Sequence, residues 1–189
     1  MLEICDDFAI DYDLKFSAEK SVAMYIGPRH NVICEPLKLA GKELQFVQSL
    51  KYLGVFLVSA KHFKCTVDHI KVIFYRVFNC LYSRIKAAHS ELVTVELIKS
   101  YCLPLILYAT EVMPLSATNV RVLDNCINRA LYKIFGIGDA SCILQMRTYL
   151  GLSSISNLIE VRRHNFVDKV IDSGNHTAVL KASCENLFY

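Results

Sequence analysis

The fold is decided by residues 68–88, which read DHIKVIFYRVFNCLYSRIKAA. Apolar residues recur in this stretch every three or four positions, at Ile70, Ile73, Phe74, Val77, Phe78, Leu81, Ile85 and Ala88. This spacing is typical of an amphipathic α-helix that buries one face. We therefore predict a long helix here. Apolar residues with helical spacing also occur after it, toward the C-terminus.

Further helices are predicted beyond this stretch from their end signals. A helix from about Val93 should kink or end near Tyr101, because Pro104 cannot continue the hydrogen-bond ladder. Ser116 or Thr118 can cap the next helix, and Gly136 can close it. A short helix over 141–150, a longer one from Ile155 to Gly174 and a weaker amphipathic segment at 176–187 complete the series.

Residues before 60 follow a different pattern. A helix over 2–12 should turn at Asp13, because aspartate tolerates left-handed backbone. Alternation over 22–26 predicts a strand, and the Ala40-Gly41-Lys42 segment predicts a small hairpin. Residues 52–58 read as one buried strand, in which Gly54 marks a bulge or a close approach of another backbone. The prediction is an α+β fold, with a small mixed region over 1–58 and a helical region over 59–189.

Composition excludes several protein classes. Hydrophobic residues make up 53% of the 189 residues, which excludes a disordered chain. The longest apolar run, over 101–109, is far shorter than the ~20 residues of a bilayer span, so we expect no membrane partner. Met1 is followed by acidic residues rather than a secretory signal. We expect the eight cysteines to be free thiols in an intracellular, reducing compartment, nuclear or cytoplasmic, and we expect no metal site, since no close cysteine or histidine spacing occurs.

The positive charge is concentrated in one segment. The whole chain carries a formal net charge of +3. Residues 61–86 hold one acid, Asp68, against six cations: Lys61, Lys64, Lys71, Arg76, Arg84 and Lys86. Tyr75 and Tyr82 lie among them, as in a surface that contacts nucleic acid. A solvated helix face is the alternative interpretation.

Motifs that carry catalytic chemistry are scarce. Asp6-Asp7 is the one pair that suggests a two-metal phosphoryl-transfer site. Its flanks have helical spacing, however, and neighbours on a helix point about 100° apart. We interpret the pair as a solvated helix face and predict no catalytic residue in this chain.

Four segments, taken together and in order, resemble a known family. They are Leu-Lys-Phe-Ser-Ala-Glu-Lys-Ser at 14–21, Lys-Tyr-Leu-Gly-Val at 51–55, Ser-Tyr-Cys-Leu-Pro-Leu-Ile-Leu-Tyr at 100–108 and Asn-Arg-Ala at 128–130. This series is similar to the region after the catalytic hairpin in reverse transcriptases of non-LTR (LINE-type) retrotransposons, which are RNA-directed DNA polymerases. Asp13 and Ser17 depart from the family pattern, which usually has Gly and Asn there.

The resemblance implies a fold and a set of roles. The fold would be a small antiparallel β remnant of a polymerase palm followed by a thumb-like helical bundle. Lys20 would contact the phosphates or pyrophosphate of the nucleotide in the intact enzyme. Tyr52, Leu53 and Gly54 would belong to the strand pair that grips the primer. Three cations would lie on the first thumb helix and contact the template–primer duplex: Lys64, Lys71 and Arg76.

The resemblance also implies what this chain would lack. In the family, the catalytic aspartates that hold Mg²⁺ lie upstream of these motifs, so this chain alone is expected to bind a template–primer duplex weakly and to synthesise nothing. Its protein partner would be the upstream palm and fingers. A helical protein-interaction module with a basic face and no catalytic role is the alternative function, and a front region with open strand edges that does not fold stably alone is a third possibility.

Overall fold

A computed structural model describes residues 2–32, 34–85 and 90–173, which divide into two units after Thr66. Sequence periodicity places the boundary at 58, but a strand at Lys64–Thr66 extends the first unit. The predicted positions at Ala88, at Gly174 and over 176–187 lie outside the described residues. The architecture is mixed α+β, as predicted, with the strands in the first unit and most of the helix in the second.

The first unit contains one helix and seven short strands. They are α1 Leu2–Asp11, β1 Val22–Ala23, β2 Lys38–Leu39, β3 Lys42–Glu43, β4 Gln45–Phe46, β5 Ser49–Tyr52, β6 Val55–Val58 and β7 Lys64–Thr66. Strands β5, β6 and β7 form an antiparallel sheet in that order, and β2 pairs with β3 in an antiparallel hairpin. β1 pairs with β4 in parallel, so the predicted antiparallel arrangement holds for two of the three sheets.

Left-handed backbone shapes the turns of this unit. Asp13 has a φ of 51°, as predicted for the end of α1. Ala40 and Gly41 have φ values of 50° and 74° and join β2 to β3 as a two-residue turn. The strand predicted over 22–26 is formed only at Val22–Ala23.

Asp6 and Asp7 differ in their surroundings. Asp7 is exposed on α1, as predicted. Asp6 is half-buried, and its Oδ1 accepts a hydrogen bond from the backbone N–H of Ala40 at 2.9 Å. The prediction of a solvated face therefore holds for Asp7 and only in part for Asp6, which joins α1 to the β2–β3 hairpin.

The second unit is helical. It contains α2 Asp68–Ile85, α3 Glu91–Leu97, a π-helical segment Ile98–Cys102, α4 Leu103–Ile106, α5 Ala117–Phe135, α6 Ala140–Tyr149 and α7 Ile155–Asp172. Its core includes fully buried side chains from α2, the π-helical segment, α5 and α7, among them Phe74, Phe78, Ile98, Leu123, Ile127, Leu131 and Ile155. The periodicity that predicted α2 identified three residues that the helix buries, Ile70, Phe74 and Phe78.

Pro104 alters the helix without ending it. The predicted break near Tyr101 takes the form of the π-helical segment, in which Leu103 N–H donates to the carbonyl of Ile98. The wider turn accommodates a residue that has no N–H to donate. α4 then continues to Ile106.

Helix ends in this unit follow their capping signals. Ser116 caps α5 by accepting from Asn119 N–H, and Gly136 ends it with a φ of 66°, so both predictions are confirmed. No helix in the described ranges has the length and apolar content needed to cross a bilayer.

Candidate nucleic-acid interface

Tyr52, Leu53 and Gly54, to which the resemblance assigns a grip on the primer, lie at the tip of the β5–β6 hairpin. Tyr52 pairs with Val55, and the two residues between them, Leu53 and Gly54, have φ values of 45° and 82°. The prediction of one continuous strand over 52–58 is therefore wrong, because the chain reverses at 53–54 in a two-residue turn. The side chains of Tyr52 and Leu53 are 61% and 73% exposed.

Lys20 and Lys64 are also exposed in the first unit. Lys20 lies in a turn before β1, where its backbone N–H donates to the Ser17 carbonyl at 3.1 Å. Lys64 begins β7 and pairs with Val58. The prediction that Lys64 lies on the first long helix is wrong, because that helix begins at Asp68.

Lys71 and Arg76 lie on α2, as predicted, and both are exposed. Five positions on an α-helix correspond to a rotation of about 140° between the two side chains. The two cations therefore point to different sides of α2 and do not form one basic face.

A different set of residues meets where α2 packs on α5. The Nζ of Lys133, on α5, lies 5.6 Å from the ring centroid of Phe78 and 5.1 Å from that of Tyr82. The same Nζ donates to Asn79 Oδ1 at 2.9 Å, and the Tyr82 hydroxyl donates to the Lys133 carbonyl at 3.1 Å. Two aromatic rings and an amide therefore hold this ammonium in place.

Tyr75 on α2 and Arg129 on α5 also belong to the contact between these two helices. Burial raises the pKa of the Tyr75 hydroxyl, the neighbouring Cys126 raises it further, and the Arg129 guanidinium acts in the opposite direction. Burial also raises the pKa of the Cys126 thiol, while Tyr75, Lys71 and Arg129 lower it. Lys71, Tyr75 and Arg129 all act on the pKa of this one buried thiol, and Lys71 and Arg129 are themselves exposed.

We call this surface the α2–α5 seam. It consists of Lys71, Tyr75, Asn79, Tyr82, Arg129 and Lys133. None of its three cations forms a salt bridge with a carboxylate in the described part of the chain. The sequence indicates Lys71 and the two tyrosines as candidates, whereas it gives no binding role to Lys133 or to Arg129, which stands there only within the Asn-Arg-Ala segment. The four-residue spacing of Arg129 and Lys133 on one side of α5 is the signal that could have identified them.

A metal centre would need several ligands in one place. Within residues 2–32, 34–85 and 90–173, no three histidine, cysteine, aspartate or glutamate side chains lie together as a group that could hold a metal ion.

Comparison with known proteins identifies no relative. No family model, no curated protein and no solved structure matches this chain.

Proposed function

We propose that this chain is the C-terminal palm and thumb part of a reverse transcriptase from a non-LTR retrotransposon, and that it binds template–primer duplex without synthesising DNA. The observation that carries the proposal is the β5–β6 hairpin, whose tip holds Tyr52, Leu53 and Gly54. The resemblance implies a strand pair at these residues, followed by helices. The hairpin and the helical unit after Val67 supply that order of elements.

The chemistry of the tip suits a grip on nucleic acid. An exposed tyrosine and leucine offer apolar area that can pack on a sugar or a base. Gly54 has no side chain, so a strand of nucleic acid can approach its backbone closely. Lys64 and Lys20 add exposed positive charge in the same unit.

The roles of the remaining predicted residues follow from this proposal. Lys71 and Arg76 contribute charge from α2 but on different sides of it, so at most one of them contacts a given phosphate strand. Lys20 contacts the nucleotide phosphates only when the upstream palm and fingers, the proposed protein partner, complete the site. The Mg²⁺-dependent step belongs to that partner region.

Binding to a fluorescent RNA–DNA hybrid across a salt series tests the proposal. Affinity should fall steeply as salt rises, because each neutralised phosphate adds about −0.9 to the log–log slope for a B-form duplex. Replacing Tyr52 and Leu53 with serine should weaken binding, whereas serine at exposed Ile10 on α1 should not. Equal loss in both variants, or absence of hybrid binding, would contradict the proposal.

Primer extension tests the second part of the proposal, that the chain does not synthesise DNA. The chain, supplied with primer, template, Mg²⁺ and nucleotides, should extend nothing. Template-dependent extension would overturn it.

A helical protein-interaction module is the second candidate. Exposed apolar side chains favour it, notably Leu144 and Tyr149 on α6, which are 69% and 90% exposed. A contiguous basic face, which the sequence suggested for this module, is not formed by Lys71 and Arg76. Salt-independent capture of a protein partner with no affinity for the hybrid would favour this candidate.

A further inference from the structure

The α2–α5 seam presents three cations that have no acidic partner among the described residues. Arg129 and Lys133 are one helical turn apart on α5, a rise of about 6 Å. Lys71 lies on α2, one helical turn before Tyr75, and is exposed. A line of exposed, unneutralised positive charge therefore runs along the contact between two packed helices.

The seam is ordered before any ligand arrives. Lys133 is fixed over the rings of Phe78 and Tyr82 and bonded to Asn79. An ammonium group has three donors, and Asn79 uses one of them. Because the long side chain is already held in place, binding an anion there costs less conformational entropy than binding at a free surface lysine.

The combination of charges and rings indicates the class of ligand. Cations spaced along a line match the regular negative charges of a phosphate backbone. Tyrosines placed between cations offer surfaces on which a sugar or base can pack, which a purely electrostatic surface lacks. An acidic peptide would satisfy the cations but would leave the half-buried rings of Tyr75 and Tyr82 without a specific role.

We propose that the α2–α5 seam is a nucleic-acid-binding surface in which Arg129 and Lys133 contact successive phosphates and Tyr75 and Tyr82 support the backbone between them. This inference rests on the proposed binding of nucleic acid, and it adds the residues of the seam to the contacts proposed at the hairpin tip. It also makes the contact independent of sequence, since phosphates carry no base information.

Arg129 and Arg121 provide a matched pair for the test. Both are exposed arginines on α5, about two helical turns apart, and each alanine substitution removes one charge. With the full chain and a fluorescent RNA–DNA hybrid, Arg129→Ala should reduce the log–log salt slope by about one and weaken binding about tenfold at about 0.1 M salt. Arg121→Ala should leave the slope unchanged, because Arg121 is not part of the seam, and Arg129→Lys should retain it, because the charge is kept.

Poly-glutamate in the same titration separates the possible outcomes. Loss of hybrid binding in Arg129→Ala but not in Arg121→Ala supports the seam as the binding surface. If the Arg129→Ala variant still binds the hybrid as the parent chain does, the assignment of binding to the seam is wrong, and the proposed function is not contradicted. Arg129-dependent binding of poly-glutamate without hybrid binding overturns both nucleic-acid assignments in favour of an acidic protein partner, and binding to neither ligand overturns both proposals. A thermal melt of each variant, matched to the parent chain, confirms that the fold is kept.

Discussion

The guanidinium of Arg147 lies 2.9 Å from the carboxylate of Asp124, and the arginine side chain is only 7% exposed. The same group donates to Asn128 Oδ1 at 2.8 Å and to the Ser153 carbonyl at 2.7 Å. The second oxygen of Asp124 accepts the N–H of Ile155 at 3.0 Å. One ion pair therefore joins α5, α6 and the start of α7.

Arg147→Ala should destabilise the helical unit by about 3 kcal/mol, because it leaves the Asp124 charge and several polar groups without their partner. Urea denaturation followed by circular dichroism measures the change. Arg121→Ala is the control: this arginine is exposed on α5, and its loss should change stability by less than about 0.5 kcal/mol. Similar midpoints for the two variants would show that the buried pair does not hold the three helices together.

Local signals in the sequence predicted the helical unit well. Ser116 and Gly136 bound α5 because a capping hydroxyl and a left-handed C-cap depend only on residues within one turn. The periodicity at Ile70, Phe74 and Phe78 identified residues that α2 buries, because one buried stripe on a helix repeats every three or four positions.

Gly136→Ala and Gly138→Ala should differ in their effect on the free energy of unfolding. A Cβ at either position meets nothing within 4 Å, so neither substitution creates a clash. Gly136 has a φ of 66°, a conformation that costs an L-residue about 1 kcal/mol, whereas Gly138 does not have a positive φ. We expect Gly136→Ala to lower stability by about 1 kcal/mol, and Gly138→Ala to be neutral or to stabilise by up to about 0.5 kcal/mol through the unfolded chain.

Thermal and urea unfolding of the two alanine variants compare them directly. Equal effects would show that the C-cap conformation of α5 does not contribute to stability.

Turns were harder to predict than helices. Leu53 reverses the chain with a φ of 45°, although leucine rarely adopts that conformation, so the apolar run over 52–58 resembled one strand. The register of β5 against β6 fixes this turn, and single-sequence periodicity carries no information on register. The resemblance places Lys64 on the first thumb helix, and nothing local in the sequence marks the three-residue strand β7 that holds Lys64 instead.

Asp139 should make the stability of the chain depend on pH through its cap at the start of α6. Hydrogen bonds from the Ser141 hydroxyl, the Cys142 side chain and their backbone N–H groups lower the pKa of this carboxyl from 3.8 to about 2. Its charged form is therefore favoured in the folded state. The resulting stabilisation is complete above the unfolded pKa near 4 and is lost as the pH falls through about 2.

Asp139→Asn keeps a capping oxygen but has no charge to titrate. The stability advantage of the parent chain over this variant should be constant above a pH of about 4 and should shrink between about 4 and 2. Urea midpoints of both proteins along this pH series measure it. An advantage that stays constant down to a pH of about 2 would show that the cap is not charge-dependent.

The candidate interface was only partly predictable. Lys71, Tyr75 and Tyr82 stood out because they are close together in a positively charged segment. Arg129 and Lys133 lie in a segment of balanced charge, and they join the others only because α5 packs beside α2. Counting charged residues along the sequence cannot reveal a cluster that forms only when distant segments pack together.

Asp6→Ala and Asp7→Ala should separate two adjacent acids that look equivalent in the sequence. Asp6 accepts the N–H of Ala40, a residue held at a φ of 50° in the β2–β3 turn, whereas Asp7 is exposed. We expect Asp6→Ala to destabilise the first unit by about 1 kcal/mol, since it removes a hydrogen bond to a charged acceptor at a partly exposed site. Asp7→Ala should change stability by less than about 0.5 kcal/mol.

Amide hydrogen exchange at Ala40 provides the direct measurement for these two variants. Exchange should be faster in Asp6→Ala, because the turn amide loses its acceptor, and unchanged in Asp7→Ala. Asp6→Asn retains an oxygen acceptor and should keep most of the protection. Equal exchange rates in all three variants would mean that Asp6 does not hold α1 to the hairpin.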